Sequence, residues 1–145
     1  MAERIPEKNE RVEPNRLKIL ICGGRHFCDC ALLEKIVDNV VKEQDFSEIE
    51  VVSGHCIGAD RMGEEYAKRH NFALKIFPAE WKKYGKRAGP IRNKQMIDYI
   101  AEFENKIVIA FISPNTKGTK NTIALAKKAN IRIIETEYNF TEKIK

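Results

Sequence analysis

A basic segment between Pro78 and Met96 holds the residue types in this chain that are best suited to binding chemistry. From Trp81 to Lys94 it carries six basic residues and no acidic one. Trp81 and Tyr84 add flat aromatic faces, and glycines in the segment let a ligand approach the backbone closely. Positive charge, a stacking surface and exposed amides together suit a phosphate-bearing ligand with an aromatic base. A solvated lysine-rich loop is the alternative, and the choice depends on what surrounds the segment.

Two glycines that follow the first apolar run form another candidate site. Gly23 and Gly24 permit a tight turn with exposed amides, and Arg25 carries a guanidinium that can pair bidentately with a phosphate. A plain strand-to-helix turn with a surface arginine is the alternative. The pattern is not the GxGxxG motif of dinucleotide-binding domains, and the chain contains no Walker GxxxxGK[ST] sequence.

A loop from Ser53 to Asp60 carries polar groups of several kinds. The Ser53 hydroxyl and the glycine amides can hold a phosphate or a ribose hydroxyl. Asp60 either hydrogen-bonds a sugar or caps the helix that follows. His55 is a candidate acid or base, although the sequence identifies no partner for it.

Two further groups of polar residues stand where helices are predicted to begin. The loop from Ser113 to Thr119 ends in a Gly-Thr pair, and we expect Thr119 to be the N-cap whether or not the loop touches a ligand. Arg92 and Asn93 either hold an anion or brace the basic segment.

Regular alternation of strands and helices positions these loops. Five apolar runs are separated by helical patterns, the first of which has Asp29 available as its N-cap. Strands separated by helices imply right-handed crossovers and a parallel sheet covered on both faces. The predicted fold is therefore a doubly wound α/β domain with strand order 3-2-1-4-5. Its predicted strands are Leu17–Cys22, Ile49–Ser53, Ala73–Phe77, Lys106–Ile112 and Ile131–Ile134, and a helix is predicted from about Ala88 to Phe103.

This architecture predicts where a ligand binds. In open parallel sheets, ligands bind outside the carboxyl ends of the strands, at the switch in strand order, which here lies between strands one and four. Loops 23–29 and 113–119 flank that crevice, with loop 53–60 beside them. Each loop ends at a helix N-terminus, where free amides and the helix dipole favour an anion.

Length and charge limit the class of protein. A chain of 145 residues is most simply one domain, and its 26 basic and 21 acidic residues give a net charge of +5. Because the excess is local, it favours a small anionic ligand over a long nucleic-acid track. We expect residues 1–16 to be a flexible charged tail and residues 17–145 to be the folded domain. No apolar stretch could span a bilayer and the N-terminus lacks a signal peptide, so we expect a cytoplasmic protein without a membrane partner.

The four cysteines are predicted to be free thiols, as is usual in a reducing compartment. The alternative is a metal site that joins the His26, Cys28 and Cys30 group to the His55-Cys56 pair. This spacing matches no standard zinc pattern. We therefore predict neither a metal nor a cofactor.

Three loop motifs together resemble the YspA, or cpYpsA-related, family of the SLOG superfamily. They are GGRxF after strand one, SGxxxGAD after strand two and PAxWxxxGxxAGxxRNxxM after strand three. The resemblance runs from about Leu17 to Ile134. It implies a Rossmann-like, homo-oligomeric domain that binds nucleotides or nucleotide-derived ligands. Relatives include DprA, which handles single-stranded DNA, the LOG phosphoribohydrolases, which cut an N-glycosidic bond, and domains proposed to sense nucleotide signals in bacterial and phage conflict.

Two positions depart from the patterns of these relatives. Family members often read SGGAxGAD, whereas this chain has His55 and Cys56 inside that loop. LOG enzymes carry PGGxGTxxE with a catalytic glutamate, and Thr122 stands in its place here. Phosphoribohydrolase activity is therefore in doubt, although Asp60 or Glu80 could substitute for the glutamate.

The leading hypothesis is a module without catalytic residues that binds an ADP-ribose-like or cyclic nucleotide signal, as a sensor or a sequestering protein. The alternatives are a hydrolase of an N-glycosidic or phosphate bond in a nucleotide, and single-stranded nucleic-acid binding. In the leading hypothesis Arg25 and Arg92 hold phosphates, Trp81 or Tyr84 stacks on the base, and Asp60 takes a ribose hydroxyl. The predicted ligand-binding residues are Gly23, Gly24, Arg25, Phe27, Ser53, Gly54, His55, Gly58, Ala59, Asp60, Pro78, Trp81, Tyr84, Gly89, Arg92, Asn93, Gly118 and Thr119.

Overall fold

Five parallel strands form one sheet in the order β3-β2-β1-β4-β5. The structure is a computed structural model, and it describes residues 15–114 and 116–139. The predicted α/β class and strand order are confirmed. The strands are β1 (Arg16–Gly23), β2 (Glu48–Ser53), β3 (Ala73–Ile76), β4 (Asn105–Ile112) and β5 (Arg132–Glu137).

The connections between the strands are helical. The helices are α1 (Cys30–Val41), α2 (Ala59–Arg69), α3 (Trp81–Tyr84), α4 (Ala88–Ala101) and α5 (Lys117–Lys128), and a 3-10 turn (Gly85–Arg87) joins α3 to α4. The predicted cap of α1 is confirmed, because the Asp29 side chain accepts a hydrogen bond from the Leu32 amide at 3.1 Å. None of the helices in the described residues is long and apolar enough to cross a membrane.

Alternating side chains of the central strand divide the core between the two faces of the sheet. Ile19 and Ile21 of β1 pack with α1 and α2 on one face. Leu20 and Cys22 pack with α4 and α5 on the other. Because successive strand residues point to opposite faces, a strand segment buried on both sides is apolar, as Ile19–Cys22 of β1 and Ile107–Phe111 of β4 are.

Four local expectations need correction or restriction. Thr119 is not the N-cap of α5, because the helix begins at Lys117 and Thr116 precedes it. The segment expected to be a long loop after strand three contains α3 and the 3-10 turn. Phe103 lies beyond the end of α4. The predicted tail lies outside the described residues up to residue 14, and Arg16 begins β1.

Candidate functional site

A pocket lies at the carboxyl ends of β1 and β4, where the strand order switches. Its volume is about 300 Å³, at the lower end of the range for small-molecule sites. This is the crevice that the topology rule predicts. The described residues that line it are Cys22, Gly23, Gly24, Arg25, His26, Cys56, Ile57, Asp60, Arg92, Asn93, Met96, Ser113, Thr116, Lys117, Gly118, Thr119, Thr122 and Tyr138.

Two glycines allow the loops after β1 and β2 to pack backbone against backbone. The Gly24 carbonyl accepts a hydrogen bond from the Ala59 amide at 3.2 Å, and the Gly24 amide donates to Phe111 at 3.0 Å. A Cβ on Gly58 would overlap the Gly24 carbonyl, and Gly58 has φ +91°, which favours glycine. A Cβ on Gly24 would overlap the Tyr138 hydroxyl. This side of the pocket therefore has no room for side chains at either position.

Arg92 brings a positive charge into the floor of the pocket from the first turns of α4. It is 8% exposed. Its guanidinium donates to the Gly54 carbonyl at 2.6 Å and to Asn93 Oδ1 at 2.8 Å, and Nη2 lies 3.8 Å from the Cys56 sulfur. Within the described parts of the chain, Arg92 forms no ion pair with a carboxylate. A buried charge that forms no ion pair is costly, although the charge of the nearby Asp60 carboxyl acts on this one.

Asp60 lies beside this arginine in the first turn of α2, and it is 5% exposed. Its Oδ2 accepts a hydrogen bond from the Cys56 amide at 3.4 Å. Burial raises the pKa of the carboxyl to about 7, while that backbone hydrogen bond and the Arg92 charge oppose the rise. Burial also raises the pKa of the neighbouring Cys22 thiol. Asp60 can therefore gain or lose a proton near neutral pH.

Asn93 fixes the start of α5 against α4. Its Nδ2 donates to Asn121 Oδ1 at 2.9 Å and to the Gly118 carbonyl at 3.3 Å. The first residues of α5 face the pocket, where their amides lack partners inside the helix. Thr122, at the position of the LOG glutamate, is buried and also bonds to the Gly118 carbonyl. The second half of the chain thus contributes a helix N-terminus and a hydroxyl to the site.

His55 has a partner that the sequence did not reveal. Its Nδ1 lies 2.9 Å from Oε2 of Glu64, and the same oxygen accepts a hydrogen bond from the Ser53 hydroxyl at 2.7 Å. The Ser53 oxygen in turn accepts from the His55 amide at 3.0 Å. This network holds His55 at φ +67°. Its ring is directed to Glu64, and the residue does not line the pocket.

The structure brings together eight of the predicted site residues as pocket-lining residues. Of the other ten, Phe27 is buried in the core, where its ring stacks on Phe111 with centroids 4.3 Å apart. Those of the second loop shape its backbone and do not line the pocket: Ser53, Gly54, His55, Gly58 and Ala59. Those after β3 also lie outside the lining: Pro78, Trp81, Tyr84 and Gly89.

Sequence reasoning missed several lining residues. Most of them belong to the glycine-containing loops that were candidate sites, and their closeness to those glycines is the signal that could have identified them. These residues are Cys22, His26, Cys56, Ile57, Ser113, Thr116 and Lys117. Met96 was noted as the end of the third motif and not as a site residue, and Thr122 only as a substitution. Tyr138 had no signal, because it follows the end of β5. Its ring packs edge-on against Phe27, with centroids 5.1 Å apart.

The described residues contain no cluster for the metal site that was the alternative to free thiols. In residues 15–114 and 116–139, no group of three histidine, cysteine or carboxylate side chains could hold a metal ion. The cysteines are free thiols, with Cys22 buried and Cys28, Cys30 and Cys56 exposed. His26 and Cys56 line the pocket.

Comparison with known proteins confirms the resemblance seen in the loop motifs. Residues 17–84 match the model of the YspA, cpYpsA-related SLOG family. This match contains the first two motifs and the beginning of the third. The chain is 27% identical over 131 residues to the Gene 61 protein of Mycobacterium phage D29, covering 87% of this chain and 98% of that protein. A predicted subunit of tRNA methyltransferase from Methanocaldococcus jannaschii gives a TM-score of 0.39 at 18% identity, over 88% of this chain and 70% of that one.

Proposed function

From the premise that residues 17–84 match the YspA, cpYpsA-related SLOG family, we propose that this chain binds a nucleotide-derived small molecule. The site is the pocket at the carboxyl ends of β1 and β4. Its ligand carries at least one phosphate, as ADP-ribose-like molecules and cyclic nucleotides do. The role is to sense such a molecule or to sequester it.

Arg92 is the single observation that carries the proposal. It is a buried arginine with hydrogen bonds to neutral oxygens and without a carboxylate partner in the described chain. Arginine is suited to this position, since its planar guanidinium has five donors and pairs bidentately with phosphate. A phosphate in the pocket would give this guanidinium the ion pair that it lacks in the described chain.

Other groups around the pocket favour the same ligand chemistry. Arg25, after β1, and Lys117, at the start of α5, are exposed cations of the pocket lining. The N-terminus of α5 adds free amides and the positive end of a helix dipole. The loop after β1 adds the polar backbone of Gly23 and Gly24 to the lining of the pocket.

The base and ribose require groups of another kind. In this proposal Asp60 takes a ribose hydroxyl. Tyr138 replaces Trp81 and Tyr84 as the aromatic wall, because among these three rings it is Tyr138 that lines the pocket. Tyr138 is half-buried with its hydroxyl against Gly24, so a base would contact the part of its ring that faces the pocket.

Ligand identification and a pair of variants test the proposal. Mass spectrometry of small molecules released from heat-denatured protein identifies what copurifies, and thermal-shift titrations with AMP, ADP-ribose and cyclic nucleotides measure binding. A ligand at about 100 times its Kd should stabilise the protein by about 2.7 kcal/mol. Lys117→Ala should lose most of the thermal shift. Lys128→Ala, at the other end of α5, is the matched control and should keep it.

The outcome that contradicts the proposal is equally specific. Protein that releases no nucleotide-like molecule and shows no thermal shift with any of these probes does not bind this class of ligand. Equal loss of the shift in the Lys117 and Lys128 variants would place the ligand elsewhere.

Hydrolysis is a second candidate function, and Asp60 is the observation that favours it. Among the described residues that line the pocket, Asp60 is the one carboxylic acid, and a pKa of about 7 suits a general acid or base at neutral pH. Glu80 is exposed and does not line the pocket. In this second proposal Asp60 serves the cleavage of an N-glycosidic or phosphate bond in the bound nucleotide.

Turnover separates the two candidates. Incubation with the same nucleotide panel should yield new products that chromatography detects if the chain is a hydrolase, and Asp60→Asn should abolish them. Recovery of intact nucleotide from a protein that binds it tightly supports binding without catalysis.

A further inference from the structure

A helical stretch on the surface, from Trp81 to Arg87, is ordered without contributing to the core. Four of its residues form α3 and three form the 3-10 turn, and neither element buries a residue. Trp81 is 58% exposed and does not line the pocket. A single exposed aromatic ring is common on protein surfaces, but this one stands beside several exposed cations of the same short stretch.

Four cations of this stretch lack carboxylate partners. Lys82, Lys83, Lys86 and Arg87 are exposed, and none of them forms an ion pair with any described residue. Elsewhere on the surface cations are often paired, as Lys94 is with Asp98 at 2.8 Å. The Lys83 ammonium instead lies 5.1 Å from the centroid of the Tyr84 ring. Tyr84 and the charge of Glu80 raise the pKa of Lys83, and the charges of the other three cations are available to an external anion.

The structure divides the basic segment into two parts that face different places. Arg92 and Asn93 turn into the pocket from α4. The stretch from Trp81 to Arg87 lies outside the pocket. A small ligand bound in the pocket therefore does not use the positive charge of this stretch. The seven residues span about 12 Å at helical rises of about 1.5–2 Å per residue.

We propose that Trp81, Lys82, Lys83, Lys86 and Arg87 form a second binding surface, separate from the pocket, for single-stranded nucleic acid. We call these five residues the basic–aromatic surface. Bases of any sequence stack on an exposed indole, while cations beside it neutralise the phosphates of the same strand. In a duplex the bases are already stacked and cannot cover Trp81. An acidic peptide would satisfy the cations and leave the aromatic face unused, so the combination favours an unpaired strand.

The chain contains its own reporter for this surface, because Trp81 is its single tryptophan. Titration with a short oligothymidylate should quench the intrinsic tryptophan fluorescence saturably. With four phosphates neutralised, the logarithm of the association constant should fall against the logarithm of salt concentration with a slope of about −3, that is about −0.7 for each cation. Thymidine monophosphate at the same nucleotide concentration should quench far less.

Charge reversal at matched positions identifies the surface. Lys82→Glu combined with Lys83→Glu should weaken oligonucleotide binding by about tenfold or more. Lys35→Glu combined with Lys42→Glu changes the net charge equally on and just after α1, and should weaken binding by less than about twofold. Trp81→Ala, followed by the anisotropy of a labelled oligonucleotide, should weaken binding by about tenfold through loss of one stacking contact.

Three results would overturn the proposal. One is the absence of both quenching and anisotropy change at low salt. Another is equal binding of polyglutamate or of a duplex, which would identify an acidic or non-specific partner. The third is equal loss of affinity in the α1 control. Because these titrations probe residues outside the pocket, their failure leaves the proposed binding of a small nucleotide to be judged on its own tests.

Discussion

Asp60 and Arg92 are the two residues whose burial matters most for the proposed function. Each is at least nine-tenths buried, and both lie close to Gly54, where a Cβ would be 2.8 Å from Arg92 Nη1 and 3.0 Å from Asp60 Oδ2. The opposite charges of the two side chains lower the free-energy cost of burying each of them. The rise in the Asp60 pKa nevertheless shows that the effect of burial outweighs this attraction. Folding therefore favours the protonated form of Asp60.

This rise predicts a pH-dependent effect of Asp60→Asn on stability. The pKa of Asp60 rises from 3.8 to about 7 on folding, so the folded state binds a proton that the unfolded state has lost between these values. The stabilisation that this bound proton gives is present at low pH and is lost as the pH rises towards 7. Asparagine cannot ionise. The free energy of unfolding of the variant, relative to that of the natural protein, should therefore increase by up to about 4 kcal/mol between pH 4 and pH 8.

Urea unfolding at several pH values measures this difference. The relevant quantity is the free energy of unfolding of Asp60→Asn minus that of the natural protein. Asp98→Asn, on the exposed face of α4, is the control and should give a difference that changes little with pH. A difference for Asp60→Asn that is constant from pH 4 to pH 8 would show that burial does not perturb this carboxyl.

His55 shows why single residues are hard to interpret from sequence. The sequence predicted a possible acid or base without a partner, and Glu64 was not considered. Glu64 lies one helical turn after Asp60 and is directed to the end of β2, where the Ser53 hydroxyl and the His55 ring meet it. The spacing of four residues on a helix could have indicated that both carboxylates share a face. It could not have indicated which of them faces the pocket.

At the scale of elements, the pattern of apolar residues predicted most of the fold. The ends of β1, β2 and β4 were predicted to within one residue because these strands are apolar and bounded by glycine or polar residues. The helical structure of the stretch from Trp81 to Arg87 was not predicted, because this stretch buries no residue and so has no apolar period to detect. Thr119 was misplaced as an N-cap because Thr116 offers the same residue type one turn earlier.

The contact between the loops after β1 and β2 predicts a large cost for Gly58→Ala. The substitution places a Cβ against the Gly24 carbonyl at a φ of +91°. Strain and overlap together should lower the free energy of unfolding by more than about 1 kcal/mol. Chemical denaturation measures the loss, and thermal-shift titration should show weaker nucleotide binding, because the loop amides move.

Gly118→Ala is the matched control for the predicted loss of stability. Gly118 lies in the first turn of α5, and nothing is within 4 Å of the Cβ it would gain. Alanine is the better helix former, so this variant should be as stable as the natural protein or more stable by up to about 1 kcal/mol. Equal destabilisation by both substitutions would mean that the packing of the two loops is unimportant.

At the scale of the whole molecule, the pocket combines groups from both halves of the chain. The first half contributes the glycine loops and Asp60, and the second contributes Arg92, the start of α5 and Tyr138. The topology rule predicted this meeting place, because it depends on strand order alone. The directions of Trp81 and Tyr84 depend on α3, and the position of Tyr138 depends on where β5 ends. Neither follows from strand order, so the predicted aromatic wall differs from the one that lines the pocket.

Arg92 sets ligand binding against the stability of the whole molecule. If Arg92 is buried in order to bind an anion, its charge should lower the free energy of unfolding when the pocket is empty. Arg92→Met keeps a long side chain without charge. Its ligand-free form should be as stable as the natural protein or more stable by about 1 kcal/mol, in spite of the lost hydrogen bonds to Gly54 and Asn93. The same variant should lose the thermal shift that a nucleotide produces.

The two measurements on this variant separate an anion-binding role from a bracing role for Arg92. If the arginine braces the loop after β2 and the start of α4, its removal should destabilise the empty protein by about 2 kcal/mol or more, since a buried carbonyl is left without a donor. Asn93→Ala is the comparison, because it removes the hydrogen bonds that join α4 to α5 together with one hydrogen bond from Arg92. It should destabilise the empty protein. Arg92→Met that behaves like Asn93→Ala in the empty protein, and still binds nucleotide, would remove the main support for a phosphate in this pocket.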